Sequence, residues 1–522
     1  MFEKYEGGKV VRGTILKKTF LVLCFSIFCL FCSTLAVRAE VISYEGSNIG
    51  YQEYSRWSSP VYSYLVPQND GTLMRVQSGR YIDGILVEYY NQNFHLESSR
   101  IIEEELSIFG GFYAANDNYY ILSGQMNQEE SSEAEVFRIT KYDLDWNRIT
   151  SVGVSECNTT VPFDAGSARM TMSGKYLIIH TSHEMYASSD GLNHQSNCSL
   201  IVDTEDMTAR YLNFAYTSHS FNQFVQTDGD TLLTVDHGDA YPRAITLRKY
   251  AFDSVAGTVS GSSDGVAVMT FPGEIGNNTT GASIGGFQYS DTSYLMSGNS
   301  VIQDEENVTR KTRNIFVASV NKASDEVSLQ WLTDYEEGEE SASTPQLVKF
   351  ESNRFLLMWT RGGYLYYVEL DGDGTVASDI YKMKGELSDC VPVIYNGNIT
   401  WYTWDDDAIV YYQISVDNLV HNTVKQTNNG HDFVLNSVAD GVANLSCSVC
   451  NETKQMRVMN RFSIKWNKNG GDSETDLSNF ADQKVGDEVR FYLNSYSSDA
   501  SLEYGDINSE LEVLSSNEDI IS

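Results

Sequence analysis

Lys175-Tyr-Leu-Ile-Ile-His180 and Thr231-Leu-Leu-Thr-Val-Asp236 are two copies of one strand pattern, and their recurrence decides the fold. Five more copies read Thr72-Leu-Met-Arg-Val-Gln77, Asn118-Tyr-Tyr-Ile-Leu-Ser123, Ser293-Tyr-Leu-Met-Ser-Gly298, Arg354-Phe-Leu-Leu-Met-Trp359 and Asn398-Ile-Thr-Trp-Tyr-Thr403. Each is followed by a strand that ends in an apolar residue and then Asp or Asn. These junctions are Tyr90-Asn91, Tyr142-Asp143, Val202-Asp203, Phe252-Asp253, Val320-Asn321, Leu370-Asp371 and Val416-Asp417. Asp and Asn suit a hairpin because their side chains satisfy turn backbone and tolerate left-handed geometry. A further short strand precedes the copies and opens on small residues, as at Gly110-Gly111, Gly166-Ser167, Ser218, Gly285-Gly286, Ser343 and Ser388. Crowding of innermost strands around a central channel accounts for that choice. Tyr, Val, Ile and Thr alternate with period two, and amphipathic helical periodicity is lacking. The reading is all-β: a seven-bladed β-propeller over residues 40–425. Residues 41–61 are expected to pair with the seventh repeat and close the ring.

Lettering the strands of a blade A to D outwards, the B–C loops and the D-to-A crossings open on one face. Five of the eight histidines fall between positions 180 and 243, in packets at strand ends. His180 and Asp236 occupy equivalent positions on adjacent blades. His183, Glu184, Asp190 and His194 are expected on a long B–C loop of blade 3. His237, Asp239 and Arg243 fall on the B–C loop of blade 4, and His219 opens its inner strand. Together they form a His/Asp/Arg-rich face.

Three chemistries could use such a set. Neutral imidazoles can hold a transition metal, with His180, His183, His219 and His237 as candidate ligands. The spacing His180-x-x-His183-Glu184 is not the helical zincin pattern. A second option is acid–base catalysis by His180, His183, His219, Asp236 and His237, with Arg243 neutralising an anionic substrate. A third is hydrogen bonding to a polar ligand, with Glu184, His194 and Asp239 contributing. Trp359, Trp401 and Trp404 stand at comparable positions of blades 6 and 7, where aromatic faces would suit sugar rings. Equally, these tryptophans could be packing, and the polar groups a brace between loops. Asp371-Gly-Asp373-Gly-Thr375 lacks the later acidic ligand of a calcium loop and reads as a turn.

The rest of the chain bounds the function. Residues 1–39 hold six of the 36 Lys and Arg and two of the 71 Asp and Glu, followed by an apolar run from Phe20 to Ala36. That is the form of a secretory signal peptide, with Val37-Arg-Ala39 as the cleavage site. The remainder carries 30 basic against 69 acidic residues, a balance that excludes nucleic acid and anionic lipid as partners. No later stretch is long and apolar enough to span a membrane. The segment 431–522 reads as a small β-sandwich, truncated within an immunoglobulin-like repeat. Its Cys447-Ser-Val-Cys450 is expected to be a local disulfide in an exported protein.

The blocks His180–Gln195, Ser218–Phe224 and Asp236–Arg243 resemble segments of large secreted or surface β-propeller proteins of anaerobic Gram-positive bacteria. The last residues, Ser515–Ser522, resemble the start of a bacterial immunoglobulin-like module. The resemblance implies secretion and fold, and no activity or cofactor. The functional expectation is a secreted or cell-surface propeller that binds an extracellular glycan or cell-wall component. The alternatives are a propeller enzyme (lyase, transferase or hydrolase) using the same cluster, and a structural adhesin segment.

Overall fold

The structure is a computed structural model. It describes residues 60–426 except 79–83, 213, 215, 262–263, 305–310 and 406–407, and beyond them the backbone of six strands between 433 and 495. The signal-peptide segment lies outside the described residues, as does Cys450. Among the described residues there is no helix, and none long and apolar enough to cross a membrane.

Seven blades follow one another along the chain, each with four antiparallel strands in sequence order. Blade 1 is β1 (Ser63–Pro67), β2 (Leu73–Ser78), β3 (Ile85–Tyr90) and β4 (Leu96–Ile102); blade 2 is β5 (Ile108–Ala114), β6 (Tyr119–Gly124), β7 (Phe137–Tyr142) and β8 (Arg148–Val154). Blade 3 has β10 (Arg169–Ser173), β11 (Tyr176–Ala187), β12 (Asn193–Asp203) and β13 (Thr208–Leu212), with the short β9 (Val161–Pro162) pairing to β11. Blade 4 has β14 (Ser220–Asp228), β15 (Thr231–Gly238), β16 (Ala244–Asp253) and β17 (Thr258–Ser260), with β18 (Val266–Thr270) added along β16. Blades 5 and 6 are β19 (Ala282–Tyr289) to β22 (Val327–Trp331), through β20 (Ser293–Ser300) and β21 (Asn314–Asn321), then β23 (Gln346–Glu351) to β26 (Tyr381–Lys384), through β24 (Arg354–Arg361) and β25 (Tyr364–Leu370). Blade 7 is β27 (Val393–Tyr395), β28 (Asn398–Asp405), β29 (Ala408–Ser415) and β30 (His421–Gln426). The chain therefore forms an all-β, seven-bladed propeller, and each repeated sequence pattern is a strand B.

Burial explains the composition. Strand B of each blade is covered on both sides by neighbouring blades, so β6 is buried at every position, while the outer β22 is largely exposed. Apolar side chains fill the wedges between blades: Val76, Phe109 and Ile121 between blades 1 and 2, and Leu233, Ile245 and Phe316 between blades 4 and 5. The small residues of the inner strands let these wedges close. A Cβ on Gly285 would stand 1.7 Å from the Pro345 carbonyl of the next blade, and one on Gly110 2.3 Å from the Phe163 ring.

The expected pairing of residues 41–61 with blade 7 falls on residues 41–59, which lie outside the described residues. Blade 7 has four strands of its own, and β1 is the inner strand of blade 1. Side chains join blades 7 and 1 at their seam. Asp389 accepts from the Tyr62 and Ser63 amides at 2.7 and 3.0 Å and from the Ser63 hydroxyl at 2.9 Å. Phe94 stacks on Tyr411 with centroids 4.3 Å apart, and Arg75 and Glu88 form a buried ion pair beside Tyr402. One expectation is corrected, in blade 3. Thr181–Glu184 do not form a loop: β11 continues to Ala187 and pairs with β12 through Glu184↔Gln195, leaving only a tight turn at its tip.

Asn428–Ser522 belong to the second of two compact units. Its strands pair antiparallel as β31 (Phe433–Ala439), β32 (Val442–Cys447) and β33 (Thr453–Arg457), and as β34 (Phe462–Lys468) between β35 (Thr475–Asp476) and β36 (Val489–Ser495). Cys157, Cys198 and Cys390 are buried free thiols of the propeller.

Candidate functional site

The upper half of the wedge between blades 3 and 4 is polar, while its lower half packs Ile178, Ile201, Val225 and Leu232. At its centre is Asp236, fully buried on β15. Asp236 Oδ1 lies 3.2 Å from His180 Nε2 and accepts from Asn197 Nδ2 at 2.9 Å and Ser220 Oγ at 2.8 Å. Its Oδ2 accepts from Arg248 at 3.3 Å. The other nitrogen of His180 reaches Ser199 Oγ at 2.8 Å. Burial alone would raise the Asp236 carboxyl, but His180, Arg248 and Ser220 outweigh it and hold the group below the usual carboxylate range. His180 is 1 % exposed. The pair is a filled internal brace with no surface offered to a ligand.

The remaining candidates fall into separate surroundings. His183 is buried between Thr159 Oγ1 at 2.6 Å and Ser196 Oγ at 3.1 Å. His237 is buried against Phe221 and Phe271, with Nε2 2.8 Å from Thr280 Oγ1. Burial depresses both imidazoles to about 3, with Arg313 and Arg243 adding to the effect at His237. Glu184 accepts from the Thr160 hydroxyl at 2.9 Å. Arg243 donates to the carbonyls of Asp239, Asn277 and Pro272 at 2.9, 2.6 and 3.2 Å. It staples the crossing after blade 4, so the expectation that it faces an anionic substrate is corrected. The four candidate metal-ligand histidines have four different sets of partners. Among the described residues, no three His, Cys, Asp or Glu side chains are grouped to hold a metal ion.

Trp359 and Trp401 are also corrected. Both are fully buried. Trp359 stacks on Tyr366, with Nε1 3.4 Å from the Tyr335 hydroxyl. Trp401 stacks on Tyr412 and donates to the Glu386 carbonyl at 3.0 Å. The neighbouring blade covers the end of strand B, so these rings are core. Trp404 pairs with Ile409 through its backbone, and its side chain lies outside the described residues. Asp371 closes its hairpin by accepting from the Thr375 amide at 2.9 Å, as a turn requires.

Two histidines of the cluster reach the surface, and they meet. His219 sits at a φ of 52°, in the left-handed region where His is among the more tolerated side chains. Its amide donates to the Gln195 carbonyl at 2.9 Å, and the preceding Ser218 amide to the Tyr241 carbonyl at 3.3 Å. This kink turns the His219 ring outward, 20 % exposed, with Nδ1 2.9 Å from Asp239 Oδ1. Asp239 itself is fully buried. Among the described residues, His219 Nε2 has no partner. The His194 ring stacks beside that of His219 with centroids 6.4 Å apart, and its Nε2 lies 2.8 Å from Asp190 Oδ2. Tyr241 and Leu192, at the tips of the adjoining turns, are 67 % and 60 % exposed. A buried carboxylate thus orients an outward imidazole, flanked by a second imidazole.

Sequence reasoning missed Arg248, Asn197, Ser199 and Ser220. Asp236 faces Thr246 across the ladder and Thr234 faces Arg248. Arg248 is therefore a diagonal neighbour of Asp236 on the same sheet face, a relation that strand register alone could have exposed.

No protein-family model matches the chain, and no curated protein is similar to it in sequence. Solved structures are similar at low identity. The periplasmic gluconolactonase of Pseudomonas aeruginosa is 11 % identical with a TM-score of 0.44, over 70 % of this chain and 95 % of that one. The parainfluenza virus 5 hemagglutinin-neuraminidase is 10 % identical with a TM-score of 0.35, over 66 % and 93 %. Dihydro-heme d1 dehydrogenase NirN is 10 % identical with a TM-score of 0.37, over 81 % and 76 %.

Proposed function

We propose that the chain is a secreted or cell-surface propeller that binds an extracellular glycan or cell-wall component at the upper surface of blades 3 and 4. The observation that carries the reading is the His219–Asp239 pair at 2.9 Å, whose carboxylate is buried and whose ring is not. A carboxylate fixed behind an imidazole sets its tautomer and presents the other nitrogen for hydrogen bonding. Tyr241, whose carbonyl accepts from the Ser218 amide, is an exposed aromatic residue of the kind on which a sugar ring packs. Export is supported by the basic residues and apolar run of segment 1–39. The unit beyond 428 completes the proposal as an immunoglobulin-like stalk module, with Cys447 and Cys450 joined as a disulfide.

The test is a glycan array together with sedimentation on purified peptidoglycan. His219→Ala and Asp239→Asn should each lower retention about tenfold or more, a loss of about 1.4 kcal/mol of binding free energy. Equal retention by wild type and both variants contradicts the reading. The same dyad supports a second reading, in which His219 acts as a general base in a hydrolase, lyase or transferase. Turnover of a glycoside, uronate or ester panel that is lost in His219→Ala and kept in His219→Ala/wild-type mixtures in proportion to the wild type would select it.

A further inference from the structure

Arg169 opens β10, the inner strand of blade 3, which is partly exposed along its whole length to the central channel. Its guanidinium lies over the Phe224 ring, 4.7 Å from the centroid. The Nε atom is buried without a hydrogen-bond partner. Among the described residues, no carboxylate lies within ion-pairing distance of the guanidinium. That is unusual in a chain with 71 acidic residues, because an unsatisfied buried donor on a charged group costs more than a neutral one. The other buried arginines are satisfied: Arg75 by Glu88, Arg248 by Asp236, and Arg243 by backbone carbonyls.

Tyr64 and Asp389 lie within the electrostatic reach of Arg169. The Asp389 oxygens are already engaged by three donors at the seam between blades 7 and 1. Stacking on Phe224 covers one face of the guanidinium and leaves its edge of N–H donors to an incoming planar or tetrahedral anion.

We infer that the central channel contains an anion site, built on Arg169 where it stacks on Phe224, that takes one small oxyanion, a carboxylate or a phosphate. It is separate from the His219 surface and does not rest on the reading of that surface. The site would recognise a free acid or the acidic group of a larger molecule that reaches into the channel.

The experiment is isothermal titration of the full chain with sodium phosphate and, separately, sodium glucuronate, at ionic strength held constant with sodium chloride. The expected result is saturable binding of one ion per chain by at least one of the two. Binding of phosphate alone or of glucuronate alone identifies the source. Arg169→Met should weaken it by about tenfold or more, Arg169→Lys by less, and the surface variant Arg148→Met should leave it unchanged. Far-ultraviolet circular dichroism shows whether Arg169→Met folds; if it does not, Arg169→Lys decides. No saturable binding of either anion up to about 20 mM, or unchanged affinity in the folded Arg169 variant, overturns the inference.

Discussion

The wedges between blades 3 and 4 and between blades 6 and 7 are built on the same backbone and filled with opposite chemistry. Near the upper end of strand B, the first holds His180 and Asp236, and the second holds Trp401 stacked on Tyr412. All are buried, because adjoining blades cover that level wherever it occurs in the ring. Burial there follows from the repeat and says nothing of ligand contact. What differs is what the filling transmits. The tryptophan wedge ends in hydrophobic contacts. The polar wedge continues upward, since Ser220 donates to Asp236 and adjoins His219. A buried network therefore supports the only two histidines of the cluster that reach solvent.

Asp236→Ala and Trp401→Ala should break the two wedges at similar cost and with different consequences. Removing Asp236 leaves Arg248 and His180 uncompensated, for an expected loss of about 3–5 kcal/mol in urea unfolding. Removing the Trp401 indole leaves a cavity, also worth about 3–5 kcal/mol. Only Asp236→Ala should also weaken glycan retention, through Ser220 and His219. Equal effects on retention would dissolve the comparison.

The acid limb of stability sharpens it further. His183 and His237 sit at about 3 in the folded chain, against about 6.5 when unfolded. The unfolded state then binds more protons between these values, so their contribution is complete above about pH 6.5 and is lost as pH falls towards 3. Each group would contribute a slope of about 1.4 kcal/mol per pH unit. Asp389, raised by burial to about 6, acts with the opposite sign. It favours the folded state as pH falls from about 6 to its unfolded value near 3.9. His183→Gln and His237→Gln should flatten the acid limb in pH-dependent urea unfolding, and Asp389→Asn should steepen it between about pH 4 and 6. An unchanged limb in the histidine variants would show that these rings are not buried neutral.

The repeat made the fold legible, and strand register went further: it set His180 and Asp236 level on adjacent blades, and they touch. Local polarity misled where it was read without the neighbouring blade. Thr181-Ser182-His183-Glu184 looks like a loop, yet each residue pairs along β12, and Ser182, His183 and Glu184 hide their polar atoms against the Asp164 carbonyl, Thr159 and Thr160. Trp359 and Trp401 read as surface aromatics because the sequence does not show which side chains the next blade covers. Arg169 was passed over because an arginine in a strand reads as solvated, and only ring closure places it in a channel.

The most direct test of the account sets His219→Ala against His180→Ala, with urea unfolding and peptidoglycan sedimentation on the same preparations. His180→Ala should lose about 1–3 kcal/mol of stability, as expected for buried partners left unsatisfied. His219→Ala should lose its retention on the ligand and less stability than His180→Ala, because the vacated, partly exposed ring site admits water to Asp239. The reverse pattern, with His219→Ala destabilised and still retained, would contradict the assignment of the surface dyad to binding.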